Sequence, residues 1–559
     1  MRDRTEDFLR ELKAIELIYE KSLFPELAYM FKHALTHDVA YNSILLQRRR
    51  ELHRMIALAI EELYADRLAE QYEVLGYHFT RAEDWGRALD FLLKGAEKAR
   101  GAFANREALL LYEQALEVLG HFGAAVDSRT KLSIHRAKSE VHFLMSDFRN
   151  ARAEGAHALE LARGLGDRVE EAATLAGIGF ASVWTHEFER ALDESASAMA
   201  VARDVGADAA FAAALFNTGF VHAHQGRLEE AKVELRDVAT ISRSIGNRVH
   251  EALAAGLHAG FKNWEGDFEA ATAGADAMLA LARESNALVP VLLGIFFKSL
   301  SLVGKGDYED ARVTIEDGLA LTEKVGDEVM HQRLLNISGW LHAELGDFER
   351  ATHLNGRSAD DARKRGDPET VANAELNIAD ILMAKGDLVV AGELLEGVRR
   401  VVEDRSVSEW QKWRYSMHLF AGLGQLFLTS GELDKAREFV NLCVDQATRT
   451  ASRKYIVRGW RLRGELAMVQ RRWDDAGAAL REALDGAVVL GNPSELWKTH
   501  EAFGHLREAE GKREDARAAY SAAAEVVDQM RGRLSTPALR AALDCAAFAQ
   551  RLAGLAGTP

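Results

Sequence analysis

Gly266-Asp267-Phe268-Glu269-Ala270-Ala271, Gly306-Asp307-Tyr308-Glu309-Asp310-Ala311 and Gly346-Asp347-Phe348-Glu349-Arg350-Ala351 are one turn written three times at a constant interval. The glycine suits the left-handed C′ position that ends a helix. The aspartate suits the N-cap of the next helix, where its carboxylate accepts backbone N–H bonds. The glutamate two positions on suits the positive start of that helix. Outward from these copies the alanine recurs at Ala88, Ala151, Ala191, Ala231, Ala391, Ala436, Ala476 and Ala516. The same interval holds throughout from Ala151 to Ala391, lengthens once before Ala436, and returns for the last two copies.

Twelve positions before each alanine stands a small residue: Gly76, Ser139, Gly179, Gly219, Ala259, Ser299, Gly339, Ala379, Gly424, Gly464 and Gly504. A small side chain there lets two helices cross at ~8–10 Å. Fifteen positions after the alanine, Gly166, Gly206, Gly246, Gly326, Gly366 and Gly491 close the second helix. The predicted unit is therefore helix A, tight turn, helix B, looser turn. Six prolines in 559 residues agree with a nearly all-helical chain, since an interior proline costs a helix roughly 3 kcal/mol.

With a further small residue seven after the alanine (Ala158, Ala198, Ala483, Ala523), the unit resembles the tetratricopeptide repeat. The usual period of that repeat is ~34 residues, and the interval from Ala271 to Ala311 is longer. The resemblance covers roughly residues 66–531. It implies an all-α, right-handed superhelical solenoid of antiparallel helix hairpins. The expected organisation is a winged-helix remnant and junction helix over 1–62, a first repeat and extra helix (Asn105 to Leu119) over 63–120, about ten repeats over 121–531, and a capping helix over 532–559.

Residues 1–62 lack the repeat pattern. Tyr29-Met30-Phe31-Lys32-His33-Ala34-Leu35, followed by Tyr41 and by Arg49, Leu52 and His53, resembles the junction between a winged helix and helical repeats in large STAND-type ATPases, many of them linked to class III adenylate or guanylate cyclases. That resemblance implies a sensor and assembly arm, with His33 making a buried hydrogen bond. On that resemblance the chain is expected to start inside or just after the winged helix, without the P-loop and cyclase portions. The alternative expectation is the C-terminal part of such an ATPase or cyclase. A LuxR-type regulator is disfavoured, because the residues after 531 are too few for a helix-turn-helix domain.

Composition and motifs narrow the chemistry. A formal charge of 70 minus 86, or −16, argues against bulk nucleic-acid binding. Cys443 and Cys545 have no Cys or His at metal-ligand spacing, which fits a reducing, cytoplasmic setting. The N-terminus has no apolar signal region, and the apolar stretch from Ser285 to Phe297 falls short of the ~18 residues of a membrane span. No Gly-x4-Gly-Lys-Ser/Thr occurs, and no zinc-protease spacing is met. His33 and His37, four apart, are better read as structural than as metal ligands. His222 and His224, with no acidic partner nearby in sequence, read as surface or groove residues. The expectation is a chain without catalysis, cofactor or metal, binding a protein or peptide partner, an ATPase or cyclase chain among the candidates, with self-association left open.

Two patches could bind that partner. Phe180, Trp184, Phe216, Phe220, Trp264, Phe296 and Trp340 fall where helix A lines the inside of such a superhelix, suiting an extended peptide or apolar ligand. The competing and heavier expectation is that longer helices bury these rings between units. Arg449, Arg453, Lys454, Arg458, Arg461, Arg463, Arg471 and Arg472 form a local basic excess opposed only by Glu465 within the same stretch. Arg458 and Arg461 are expected on the inner face, where they could hold a carboxylate, phosphate or acidic peptide. A solvated basic face is the heavier alternative there.

Overall fold

The computed structural model describes residues 2–22, 28–125, 128–403 and 411–557. It is 86% helical and divides into two compact units, Met1–Asp127 and Ser128–Pro559.

In the first unit, helix Arg2–Ala14 leads into an antiparallel hairpin of strands Ile18–Ser22 and Ala28–Phe31, in register Ile18↔Phe31 and Tyr19↔Met30. Helices Ala34–Ser43 and Leu46–Leu63 follow, then Tyr72–Arg81, Trp85–Gly101 and Asn105–Leu119. Leu75, Phe79, Leu92, Leu111 and Tyr112 form the buried interior of the last three. The junction motif closes on itself, because Tyr41 Oη lies 2.9 Å from His53 Nε2, His53 Nδ1 lies 2.8 Å from His78 Nδ1, and Arg49 sits 5.0 Å over the Tyr41 ring. His33 departs from expectation. It is exposed at the start of helix Ala34–Ser43 and makes no side-chain cap bond, so the buried histidine of the motif is His53.

The second unit is an all-α solenoid of ten helix hairpins among the described residues, from Ser128–Leu144 with Phe148–Leu165 to Pro493–Ala509 with Arg513–Gly532. The reason is local. Gly266, Gly306 and Gly346 end helices at φ 77, 85 and 77°, and Asp267 and Asp347 accept from the backbone N–H of Ala270 and Arg350. The repeated alanines from Ala88 to Ala516 are all at most 4% exposed. The small residue twelve before each meets the side chain four after it: a Cβ on Gly339 would lie 2.2 Å from Asn355 Nδ2, and one on Gly464 2.7 Å from Leu480 Cγ.

The turn glycines have a second role that the repeat pattern does not announce. A Cβ on Gly226 would meet Trp413, one on Gly266 would meet Arg453 and Leu490, and one on Gly306 would lie 2.4 Å from Pro493 Cγ. Trp413, Arg453 and Pro493 follow their glycines at one and the same offset along the chain, between four and five repeats on. Successive superhelical turns therefore touch, and the tight turns are their contact points. Asn492 Nδ2 donating to the Gly304 carbonyl at 2.7 Å and Ser146 Oγ donating to Asp327 at 2.6 Å fasten the same seam.

The C-terminal segment forms two short helices, Pro537–Cys545 and Ala547–Ala556, rather than one. Leu539, Leu543, Phe548 and Leu552 join Leu302, Tyr308, Ile315 and Trp497 in one core cluster. Glu309 accepts the backbone N–H of Ser535 at 2.7 Å and also that of Thr536. This acid serves the start of a different helix from the one it stands on.

Helix Leu288–Lys305 continues through Lys298, and its 18 residues, at mean hydropathy 1.7, satisfy the length and apolarity of a span. Here 56% of that window is buried inside the protein, with Leu292, Leu293 and Phe297 in the solenoid core.

Candidate functional site

Because consecutive turns of the second unit touch, the inner faces of both enclose one cavity of about 150 Å³. Helix A of the earlier repeats supplies Trp184, Phe220, Trp264, Phe296, Arg333 and Trp340. The later turn supplies Glu369, Asn373, Asn377, Tyr415, His418 and Lys454. Five of the seven aromatic residues expected on the inner face therefore line a common space. Phe180 and Phe216 do not. Their rings lie 6.0 Å apart, Phe180 stacks on Phe143 at 4.8 Å, and Phe216 is 2% exposed within the core. Burial and groove lining are not alternatives in this wall, since Phe220 and Trp264 are each 9% exposed and still border the cavity.

The polar floor is made by helices A of neighbouring repeats. Arg333 Nη2 donates to Glu369 at 3.2 Å, and Tyr415 Oη donates to the other oxygen of Glu369 at 3.2 Å. The Arg333 guanidinium lies 5.7 Å from the Trp184 ring and 5.9 Å from that of Phe296, so π faces share the work of stabilising its charge. The Glu369 carboxylate raises the Arg333 pKa against the cost of burial, which keeps the guanidinium charged. His224, whose Nδ1 lies 2.9 Å from the Phe220 carbonyl, is pushed by burial down to about 4 and stays neutral.

Beside this floor runs a chain of carboxamides. Asn355 Oδ1 accepts from Asn336 Nδ2 at 2.8 Å and from Asn377 Nδ2 at 3.1 Å, and Asn336 Oδ1 accepts from Asn373 Nδ2 at 2.6 Å. Asn336, Asn373 and Asn377 line the cavity. Four other lining residues, Trp184 (Nε1), His186 (Nδ1), Asn263 (Oδ1) and Arg333 (Nε), hold buried polar atoms with no hydrogen-bond partner among the described residues. Buried polar groups are nearly always paired, so four such atoms around one cavity mark it as unusual.

The basic patch is placed differently from expectation. Arg458 makes two bonds to Asp380, at 2.9 and 2.7 Å, and Arg461 Nη1 reaches Glu495 at 2.5 Å. The opposing acids come from other repeats, 78 and 34 positions away, and not from Glu465 alone. Glu495 is held down to about 2 despite burial by Arg461 and the other cations around it. Arg461 is therefore committed to a buried ion pair and Arg458 to a half-buried one, and neither is offered to an anion. His224 borders the cavity as a groove residue, whereas His222 departs from expectation. Both are buried, and His222 Nδ1 lies 2.8 Å from Glu234, an acidic partner on the next helix.

The residues that sequence reasoning missed are Arg333, Glu369 and the asparagines. Their signal is present, because Arg333, Asn336, Trp340, Asn373 and Asn377 sit on helix A at positions expected to face inward or next to them. Among the described residues no cluster of three or more His, Cys, Asp or Glu side chains is arranged to hold a metal ion.

No family model matches the chain, and no curated protein matches it. Similar solved structures include a Rap protein complexed with Competence and Sporulation Factor (14% identity, TM-score 0.42, covering 72% of this chain and 98% of that one). The Cut9–Hcn1 hetero-tetramer of APC/C gives 14% identity and a TM-score of 0.41, covering 90% of this chain and 96% of that one. A tetratricopeptide repeat protein from Parabacteroides merdae gives 14% identity and 0.29, covering 52% and 98%. These likenesses are too distant to carry residue roles, and the fold assignment rests on the helix pairs of the chain itself.

Proposed function

We propose that the solenoid is a non-catalytic binding module that takes an extended segment of a partner protein into the cavity between its superhelical turns. The observation that carries this reading is the chain of carboxamides facing a wall of aromatic rings. A carboxamide presents a donor and an acceptor in one plane, which matches the N–H and C=O of a peptide group. Rings accept apolar side chains without charge selectivity. One N–H of each of the Asn373 and Asn377 amides is bonded to another asparagine, which fixes the planes and leaves the second N–H and the carbonyl oxygen for a ligand. Such a chain would serve as the sensing or assembling arm of a regulatory complex. The helix, β-hairpin and Tyr41–His53 closure of the first unit are compatible with the winged-helix junction of STAND-type regulators, which favours an ATPase or cyclase chain as the machinery it serves.

Native mass spectrometry of the full chain with a pool of random heptapeptides tests the reading. Peptide adducts are expected on the native protein, and Asn373→Leu with Asn377→Leu should remove most of them while far-UV circular dichroism stays unchanged. No adducts, or adducts equally abundant on the variant, would refute it.

A further inference from the structure

The lining of the cavity is not neutral. Three permanent or basic cations, Arg333, Arg414 and Lys454, face one carboxylate, Glu369. Glu369 is already occupied by Arg333 and Tyr415. The acids nearest Lys454 are likewise engaged. Glu344 accepts from Trp340 Nε1 at 2.6 Å and from the Ser494 hydroxyl. Glu495 is paired with Arg461, and Asp380 with Arg458 and His418. The Lys454 ammonium has no ion pair among the described residues. It lies 4.3 Å over the Trp340 ring, and burial lowers its pKa. Arg414 also borders the cavity without an ion pair among the described residues. The carboxylates whose field reaches Lys454, those of Glu344, Glu495 and Asp380, are each bonded elsewhere, so the ammonium over its aromatic face lacks a direct ion pair that a ligand carboxylate supplies.

We infer that the segment taken into the cavity is acidic, with an Asp or Glu carboxylate seated at Lys454 in the positive field of Arg414, and a neighbouring apolar residue against Trp340 and Trp264. This rests on the peptide-binding reading above and names the chemistry that reading leaves open. It also separates the cavity from the neighbouring basic helix. Arg458 and Arg461 share Lys454's helix Arg453–Val469, but their charges are cancelled inside the protein, so the selectivity belongs to Lys454.

The full chain, Lys454→Met and Lys454→Arg are each panned against random heptapeptides displayed on phage. The native chain should enrich sequences with Asp or Glu beside an aromatic or branched residue. Lys454→Met should lose the acidic preference and keep the apolar one, and Lys454→Arg should restore it. Resynthesised peptides with Glu replaced by Gln should bind the native chain about ten- to a hundredfold more weakly, the size of a charge-assisted hydrogen bond. That difference should shrink with added salt, a readout that needs no variant to fold. Enrichment of neutral or basic sequences would overturn the acidic ligand and leave peptide binding standing. If no peptide is enriched while 3-phenylpropionate quenches the cavity tryptophans and 3-phenylpropanamide does not, the peptide reading falls and the carboxylate site remains. Absence of both responses would overturn both.

Discussion

The aromatic wall formed by helices A between Trp184 and Trp340 and the basic helix Arg453–Val469 face each other across the solenoid, and their sequences promise opposite things. The rings are expected to disappear into the core, yet five of them border the cavity. The arginines are expected to present charge, yet Arg458 and Arg461 are sealed into ion pairs. A ring can be mostly buried and still offer a face to a ligand, because its surface is large. A buried guanidinium must be neutralised wherever it sits, and its partner can come from any distance along the chain.

Five measurements would break or sharpen this contrast. The largest effect is expected for Glu495→Ala. It leaves Arg461, whose side chain is 8% exposed against 5% for Glu495, only the longer 3.8 Å contact with Glu465, and breaking a buried pair costs about 3–5 kcal/mol. Urea denaturation should show the midpoint falling steeply, and a loss under about 1 kcal/mol would mean that the pair is solvated. Asp380→Asn should cost less, since Asp380 is 33% exposed and water screens what remains.

Acid should come next. His224 and His250 are pushed by burial from 6.5 to about 4, so the unfolded chain binds protons that the folded chain refuses. Their contribution is complete above pH 6.5 and is lost as pH falls toward 4, by about 3 kcal/mol for each. Melting temperature should drop between pH 7 and pH 5, before the lowered carboxylates Glu154 and Glu495, both near 2, begin to titrate. A flat profile over that range would show that the two rings titrate freely.

Gly339→Leu should destabilise by about 1–3 kcal/mol through overpacking. Its side chain must displace Asn355, which holds Asn336 and Asn377 in place. Peptide capture should therefore weaken together with the melt, and a melt unchanged from the native protein would refute the repeat register. The smallest effect belongs to the exposed end of the basic patch. Arg472→Ala removes a pair with Asp475 whose partners are 54% and 63% exposed, so the change should stay within about 0.5 kcal/mol. A larger loss there would show that the outer arginines also carry structure.

The hairpin unit is legible because every signal for it is local. Gly266, Asp267 and Ala271 act within one turn of chain, and the helix crossing at Gly339 is made by Asn355 on the very next helix. The aromatic wall follows from the same periodicity, since a fixed position on helix A faces inward in every repeat. Cavity residues escape notice where a residue type carries no signal by itself. Asn336, Asn373 and Asn377 read as ordinary polar positions until their carboxamides are seen bonded across neighbouring helices.

From the sequence alone came the helix pairs, their turns, their period and which face of helix A looks inward, all set by steric and hydrogen-bonding rules acting within a single repeat. Tertiary structure alone decided how tightly the solenoid winds. The distant positions that meet at Gly226, Gly266 and Gly306 follow from small rotations summed over four to five repeats, which no local pattern encodes. Packing of repeats one or two apart brings Glu495 to Arg461 and Asp380 to Arg458, and the winding sets Lys454 over the Trp340 ring with no ion pair among the described residues. It thereby fixes which of the chain's cations are neutralised and which remain for a ligand.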